Sequence, residues 1–262
     1  MGKNILLGKE LVELSQESPV LSKHLIGVLA GNEQESIALV SYYELLSATG
    51  FDPAISKAFL FALERHKGQY YRWKNGTNLP YAYHLCKAAL NGVNLFGARR
   101  QNTILALWHD MMEDKRANKE EVRRELRKKV YGVRCPENIV DALALLDRGC
   151  SKSSAEYFAR LTQSDDAIAA KAADIISNLD ACIGRFGEMM KTRERFTIFG
   201  YLIEVPEYFL KAEGFLSSPH SGKIKGKIMP LLCHLEASLP EKKRKEFEAY
   251  RKEVLDEHRR HS

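Results

Sequence analysis

The sequence has few cysteines and no long apolar run. Its five cysteines are scattered through 262 residues without C-x-x-C spacing, which excludes a disulfide scaffold and a cysteine-held zinc and is typical of reduced thiols in the cytosol. No apolar stretch approaches the roughly 20 residues that span a bilayer. Glu10 and Glu13 interrupt any signal-peptide pattern near the N-terminus. We therefore expect a cytoplasmic protein without a membrane partner.

A strong charge of either sign is also lacking. The net charge is +6, from 40 basic and 34 acidic residues. Such a mild excess suits anionic substrates but does not by itself indicate nucleic acid. Nucleic-acid binding is therefore not expected, whereas a homo-oligomer remains open.

Strand-like alternation is scarce, and nearly every longer segment repeats apolar residues at the three- and four-residue steps of a helix. Helix starts are marked by Asp52-Pro53 and by the capping box of Ser153 with Glu156. The sequence predicts an all-α fold. We expect an N-terminal helical extension over 1–52, a central domain over 53–215 and a C-terminal helical extension over 216–262, packed on the same domain.

The central helical pattern ends in the hexapeptide His109-Asp110-Met111-Met112-Glu113-Asp114. It follows a short apolar run, so we expect these residues to continue the helix over 99–113. Residues four apart, such as His109 with Glu113, would then share a face. Several ionisable groups beside a core are costly unless something neutralises them, and a metal ion is the obvious candidate.

Three other segments supply candidate partners for this hexapeptide. His84 follows Pro80 at the start of a predicted helix, and Asp174 lies amid small and apolar residues. The loop around Arg72 mixes cations with aromatic rings, which suits a base plus phosphate. Two imidazoles and two carboxylates, from His84, His109, Asp110 and Asp174, form a ligand set that suits Mn²⁺, Fe²⁺ or Zn²⁺.

This order of motifs resembles the HD superfamily of metal-dependent phosphohydrolases, and most closely the RelA/SpoT-type hydrolase domain with its stand-alone relatives, the small alarmone hydrolases. The resemblance covers roughly residues 53–210. It rests on three blocks of the family, H-x-G-Q-x-R-K-x-G-x-P-Y-x-x-H, H-D-x-x-E-D and K-x-A-D-x-x-x-N. This chain agrees with them in order and approximate spacing at His66–Gln69, Arg72, Lys74, Gly76, Pro80-Tyr81 and His84, then at His109–Asp114 and then at Lys171–Asn178. The resemblance implies an HD-domain helical bundle that removes pyrophosphate from the 3′ position of guanosine tetra- or pentaphosphate, (p)ppGpp, in the stringent response.

The resemblance also implies residue roles, which are expectations here. His84, His109, Asp110 and Asp174 would bind Mn²⁺, or Fe²⁺, Zn²⁺ or another divalent cation. Glu113 and Asp114 would position or deprotonate the attacking water. The nucleotide substrate would be contacted by four residues, Arg72, Lys74, Tyr157 and Asn178.

The chain departs from the family pattern at positions that bear on the substrate. Leu85 replaces a proline, and the last block lacks an arginine and a histidine at Ile175 and Ser177. The alternatives are an HD phosphatase or pyrophosphohydrolase acting on another nucleotide or NADPH, and a catalytically silent nucleotide-binding protein. Each residue also has a plainer interpretation: Glu113 and Asp114 as a solvated helix end, Arg72 and Lys74 as loop charges, and Tyr157 as part of the core.

Overall fold

A computed structural model describes residues 9–73 and 77–261 of the chain, and its fold is all-α, as the sequence predicts. The described residues form fourteen α-helices and one two-stranded sheet. The helices are α1 Lys9–Glu17, α2 Pro19–Leu29, α3 Glu33–Ala48, α4 Pro53–Arg65, α5 Ala82–Phe96, α6 Arg100–Leu107, α7 Lys119–Leu126, α8 Pro136–Leu146, α9 Ser154–Leu161, α10 Asp165–Met189, α11 Arg195–Glu204, α12 Glu213–Ser217, α13 Ser221–Ala237 and α14 Glu241–His261. Three one-turn segments lie between them, at Lys129–Tyr131, Arg148–Cys150 and Val205–Phe209.

The 25-residue helix α10 lies at the centre of the molecule and packs against α5, α6, α8, α11 and α13. Small residues allow a close approach of the helices around it. A Cβ at Gly92 of α5 would lie 3.8 Å from the Cβ atoms of Ala106 on α6 and Ala173 on α10. Three chain segments that are distant in sequence therefore meet here.

The terminal helices pack onto this centre through the same hydrophobic core. Helix α3 packs on α5, and α13 packs on α10. Buried residues from Leu11 to Phe247 belong to one continuous core. The division into an extension, a central domain and a second extension remains a prediction.

The hexapeptide is not helical, and our prediction that it continues the preceding helix is wrong. Helix α6 ends at Leu107, and residues 108–116 form successive turns. The Trp108 amide bonds the carbonyls of both Ile104 and Leu105, and the Met111 amide bonds the Trp108 carbonyl. Lys115 has a positive φ of 53°. These turns, and not a continuous helix, set the positions of the polar residues, although the Asp114 amide still bonds the Asp110 carbonyl at 2.9 Å.

The indole of Trp108 fixes the start of these turns. Trp108 is fully buried, its Nε1 donates to the Ala58 carbonyl at 2.9 Å, and its ring lies 5.0 Å from that of Phe61 and 5.8 Å from that of Tyr131. Turning the indole would leave both Nε1 and the Ala58 carbonyl buried without a hydrogen-bond partner, so this bond holds the ring in one orientation. His109 follows directly.

The remaining differences from the sequence-based expectation are local. The Gly, Asn and Lys content of residues 68–79 predicts a loop there, but the segment contains the antiparallel strands β1 Tyr70–Arg72 and β2 Asn78–Pro80, with Tyr71 paired to Leu79. Apolar residues at helical steps predict one helix over 193–213, but this stretch breaks into α11 and a wider turn at Val205–Phe209, where Pro206 lacks an amide donor.

Two findings bear on the composition argument. The five cysteines are all free thiols. In the part of the chain that the structure describes, no helix combines the length and apolarity that crossing a membrane requires.

Substituting Trp108→Phe tests the anchoring of the hexapeptide. We expect it to lower the free energy of unfolding by about 2–4 kcal/mol, because it removes buried volume and leaves the Ala58 carbonyl without its donor. Tyr70→Phe is the control, since Tyr70 is 65% exposed and its change should stay within about 0.5 kcal/mol. Urea unfolding measures both, and an equal loss in the two variants would contradict the anchoring role.

Candidate metal centre

Three segments bring two imidazoles and a carboxylate to one buried point. His84 lies in the first turn of α5, His109 in the turns after α6, and Asp174 in the middle of α10. One ligand atom from each lies within 4.8 Å of the others. The His84 and His109 Nε2 atoms are 3.3 Å apart and lie 3.2 and 3.4 Å from Asp174 Oδ1. All three residues are at most 3% exposed.

Asp110 adds a second carboxylate, and so a fourth candidate ligand, to this group. Its Oδ2 lies 2.8 Å from His109 Nε2 and 3.7 Å from His84 Nε2. The Tyr81 hydroxyl donates to the same oxygen. The four residues predicted as metal ligands therefore lie together, and this donor set suits a divalent transition metal such as Mn²⁺, Fe²⁺ or Zn²⁺.

The far side of each imidazole has its own polar partner. His109 Nδ1 lies 2.8 Å from the Ala106 carbonyl, so it carries the proton and donates. His84 Nδ1 lies 3.2 Å from the Ser177 hydroxyl. A histidine held through Nδ1 presents Nε2 to a metal, and such outer contacts fix the tautomer and orientation of metal-binding imidazoles.

Asp174 is held from its own helix by two neighbours. Lys171 Nζ donates to Oδ2 at 2.9 Å, and Asn178 Nδ2 donates to Oδ1 at 2.6 Å. Lys171 is one turn before Asp174 and Asn178 one turn after, so α10 positions all three groups. The Tyr71 hydroxyl of β1 donates to Asn178 Oδ1 at 3.2 Å, which ties the hairpin to the same cluster.

The charges in this cluster oppose one another. Burial acts to lower the pKa of His109, but the carboxylates of Asp110 and Asp174 outweigh it and raise that pKa well above its usual value. Burial acts in the opposite sense on the two acids. His109 nevertheless lowers the pKa of Asp110 to about 2, and Lys171 with His109 lowers that of Asp174 well below its usual value. Both carboxyls are therefore anionic at neutral pH, the protonation state that a metal ligand requires.

The two expected catalytic acids lie at the rim of the cluster. The side chain of Glu113 reaches solvent, yet partial burial and the neighbouring carboxylates of Asp110 and Asp174 raise its pKa against the opposing effect of Lys171. Asp114 accepts a hydrogen bond from Gln69 Nε2 at 2.7 Å. A carboxyl with a raised pKa can exchange a proton nearer to neutral pH.

The sequence predicts no role for His66 and Gln69, which support Asp114 and Asp110. Gln69 bonds Asp114, and His66 contacts both Gln69 and Tyr81, the residue that bonds Asp110. His66 Nδ1 lies 2.9 Å from Gln69 Oε1, and the His66 ring stacks on that of Tyr81 at 5.0 Å. In the sequence, these two residues are notable only as members of the H-x-G-Q motif. Their contacts with the acids could not be read from the spacing.

The predicted substrate contacts have other partners in the structure. Arg72 forms ion pairs with Glu188 and Glu194, each at 2.6 Å. Lys74 lies outside the described residues. Asn178 lies within the cluster, as described above. These placements leave the substrate-binding roles as predictions.

Tyr157 belongs to the core of the structure. It is fully buried, and its hydroxyl donates to the Leu146 carbonyl at 3.3 Å. The Lys171 ammonium and the Arg148 guanidinium lie over its ring at 5.7 and 5.6 Å. Its plainer interpretation as a packed aromatic is the one that these contacts favour.

Comparison with known proteins adds nothing to these observations: no protein-family model, no curated protein and no solved structure matches the chain.

The raised pKa of His109 predicts a pH-dependent metal affinity. Without metal, the His109 imidazole is protonated on both nitrogens, and a metal ion must displace the proton on Nε2. We expect the affinity for Mn²⁺ to rise by up to about tenfold per pH unit between about pH 6 and pH 8, with proton release. Titration calorimetry in two buffers of different ionisation enthalpy measures both.

The same proton contributes stability to the metal-free chain. Its contribution is fully present below the unfolded-state pKa of about 6.5 and is lost as the pH rises through the raised folded-state value.

His234→Ala, at an exposed histidine, should leave the pH dependence of Mn²⁺ affinity unchanged. A flat affinity across this range would contradict the assignment of His109.

Proposed function

We propose that this protein is a metal-dependent phosphohydrolase of the HD type that acts on a nucleotide. One observation carries the proposal: two imidazoles and a carboxylate from α5, the turns after α6, and α10 lie within 4.8 Å of one another in a buried position. The adjoining Asp110 completes a mixed nitrogen and oxygen donor set. A purely structural cluster would gain little from burying so many ionisable groups.

The centre is suited to hydrolysis because the candidate metal ligands lie next to two carboxyls, Glu113 and Asp114, that could transfer a proton or orient a water. A bound divalent cation would polarise a phosphoryl oxygen and lower the pKa of a bound water. Glu113, with its raised pKa, would accept the proton of the attacking water. Asp114, held by Gln69, would orient that water.

The most specific form of the proposal is removal of the 3′-pyrophosphate from guanosine tetraphosphate. Its support is the resemblance of the three sequence blocks together with the convergence of their residues. Lys171, between Asp174 and the Tyr157 ring, contributes positive charge near the centre. Phosphoryl transfer requires such charge around the equatorial oxygens. A cytoplasmic location remains part of the prediction.

A second candidate, hydrolysis of a different nucleotide or of NADPH, is favoured by the hairpin. Arg72 and Lys74 are expected to contact the base and the phosphates, and of these two only Arg72 lies in the described residues. It is paired with Glu188 and Glu194. The last block also lacks the arginine and histidine of the family pattern at Ile175 and Ser177. Both features alter the groups that would recognise guanosine tetraphosphate and leave the candidate ligands in place.

Two substitutions separate metal binding from chemistry. Asp110→Ala should abolish both Mn²⁺ binding and hydrolysis, because it removes a ligand. Glu113→Gln should keep Mn²⁺ binding but lower kcat by about 10²–10⁴-fold, because it removes a proton acceptor. Calorimetry and a phosphate-release assay provide the two measurements.

The matched control for these variants is His234→Ala, which should retain both properties. Normal turnover in Asp110→Ala and Glu113→Gln would rule out this centre as the site of hydrolysis. Mn²⁺ binding without turnover on any nucleotide would instead support the silent nucleotide-binding alternative.

A substrate panel distinguishes the two hydrolase candidates. Pyrophosphate release from guanosine tetraphosphate alone, dependent on Mn²⁺, is the expected result for the first. Phosphate release from NADPH or from other nucleotides, with guanosine tetraphosphate left intact, would select the second. Chromatography of the products identifies the bond that is cleaved.

A further inference from the structure

A cavity of about 610 Å³ lies between α5 and α10, on the opposite side of His84 from the ligand cluster. The wall nearest the cluster includes Ser177, whose hydroxyl lies 3.2 Å from His84 Nδ1. The opposite ring nitrogen, Nε2, faces His109 and Asp174. None of the four candidate ligands lines the cavity, so it is not the space that a metal would occupy.

Two aromatic rings form one side of this cavity. Trp73 and Tyr83 lie with their ring centroids 5.1 Å apart at an interplanar angle of 64°. Tyr71 lies 6.3 Å from Trp73 and 6.4 Å from Tyr83, and it stacks on His84 at 4.6 Å. A continuous row of rings therefore runs from the cavity to the back of the imidazole. Flat aromatic ligands stack on such surfaces.

The charged groups among the described residues of the lining include two acids and one base. Glu44 and Asp180 are acidic and Lys87 is basic, and carboxylates beside the cavity repel a phosphate. Lys87 bonds Glu44 at 2.9 Å and lies 5.9 Å from the Tyr83 ring. The phenolic hydroxyl of Tyr83, which lines the cavity, can donate a hydrogen bond.

Amide groups complete the polar part of the lining. Asn91 and Asn94 follow one another on α5 at three-residue spacing, and Asn91 Nδ2 reaches the Ala173 carbonyl at 3.4 Å. Amides and carboxylates beside aromatic faces can bond the amino, carbonyl and ring-nitrogen groups of a base. The volume lies within the roughly 300–1,000 Å³ range of small-molecule sites.

We propose that this cavity is a second binding site, separate from the metal centre, for the base and sugar of a purine nucleoside whose phosphates, if any, stay outside. The base stacks on Trp73, and its polar edge meets the amides of α5 and the carboxylate of Asp180. This site goes beyond the proposed hydrolase activity and does not depend on it, since its binding needs neither a metal nor turnover.

The test uses the full chain freed of metal with a chelator. Adenosine and guanosine are titrated while tryptophan fluorescence is followed, and calorimetry checks the stoichiometry. Of the two tryptophans, Trp108 is fully buried and Trp73 lies at the cavity. Saturable quenching by a nucleoside, at least as tight as that by its 5′-monophosphate, is the expected result. No saturable binding at millimolar nucleoside would overturn the proposal.

Four variants locate the site. Trp73→Ala should weaken nucleoside binding by about tenfold or more, because it removes a stacking face, and Trp73→Phe should restore most of the affinity when binding is followed by calorimetry. Tyr70→Ala, in the adjoining strand β1 but outside the described cavity lining, should bind as the unaltered chain does. Asp110→Ala should also bind normally. Loss of nucleoside binding in Asp110→Ala would place the nucleoside at the metal centre and overturn the second site.

Discussion

The site depends on the balance of charge around one buried carboxylate. Asp174 is only 3% exposed, and an isolated anion in such a place would be strongly unfavourable. The cost of burying this carboxylate is offset by Lys171 and Asn178 from its own helix. It is offset further by the imidazoles of His84 and His109 from two other segments. Because these partners come from separate helices, the same balance holds α10, α5 and the end of α6 in register.

The β-hairpin closes this arrangement from the solvent side. Tyr71 at β1 bonds Asn178 through its hydroxyl, and Tyr81 just after β2 bonds Asp110. Burial and the nearby carboxylates raise the pKa of both tyrosines, so each hydroxyl remains a donor. Their rings also lie against His84. The hairpin thus shields the imidazole and satisfies oxygen atoms of the cluster, which a mobile loop could not do.

The sequence predicted the helical class well, because apolar periodicity is repeated over most of the chain. It also predicted the residues that converge, since His84, His109, Asp110 and Asp174 stand out as ionisable groups within apolar segments. It failed where local backbone geometry decides. The hexapeptide has helical spacing, but the turn that begins at Trp108 depends on an indole bond to the Ala58 carbonyl, fifty residues away. Spacing alone contains no such information.

Long-range ion pairs explain why the partners of the expected substrate contacts were harder to predict than the convergence of the candidate ligands. Arg72 pairs with Glu188 and Glu194, more than a hundred residues further along the chain. Exposed ion pairs of this kind contribute at most about 1 kcal/mol each, and the Arg72 side chain is 48% exposed. Under the proposed function, a substrate phosphate could therefore displace these pairs at small cost, but the two carboxylates would repel it unless their side chains move away from the guanidinium. Under the same proposal, Glu188 and Glu194 would influence the choice of anionic substrate as much as Arg72 does.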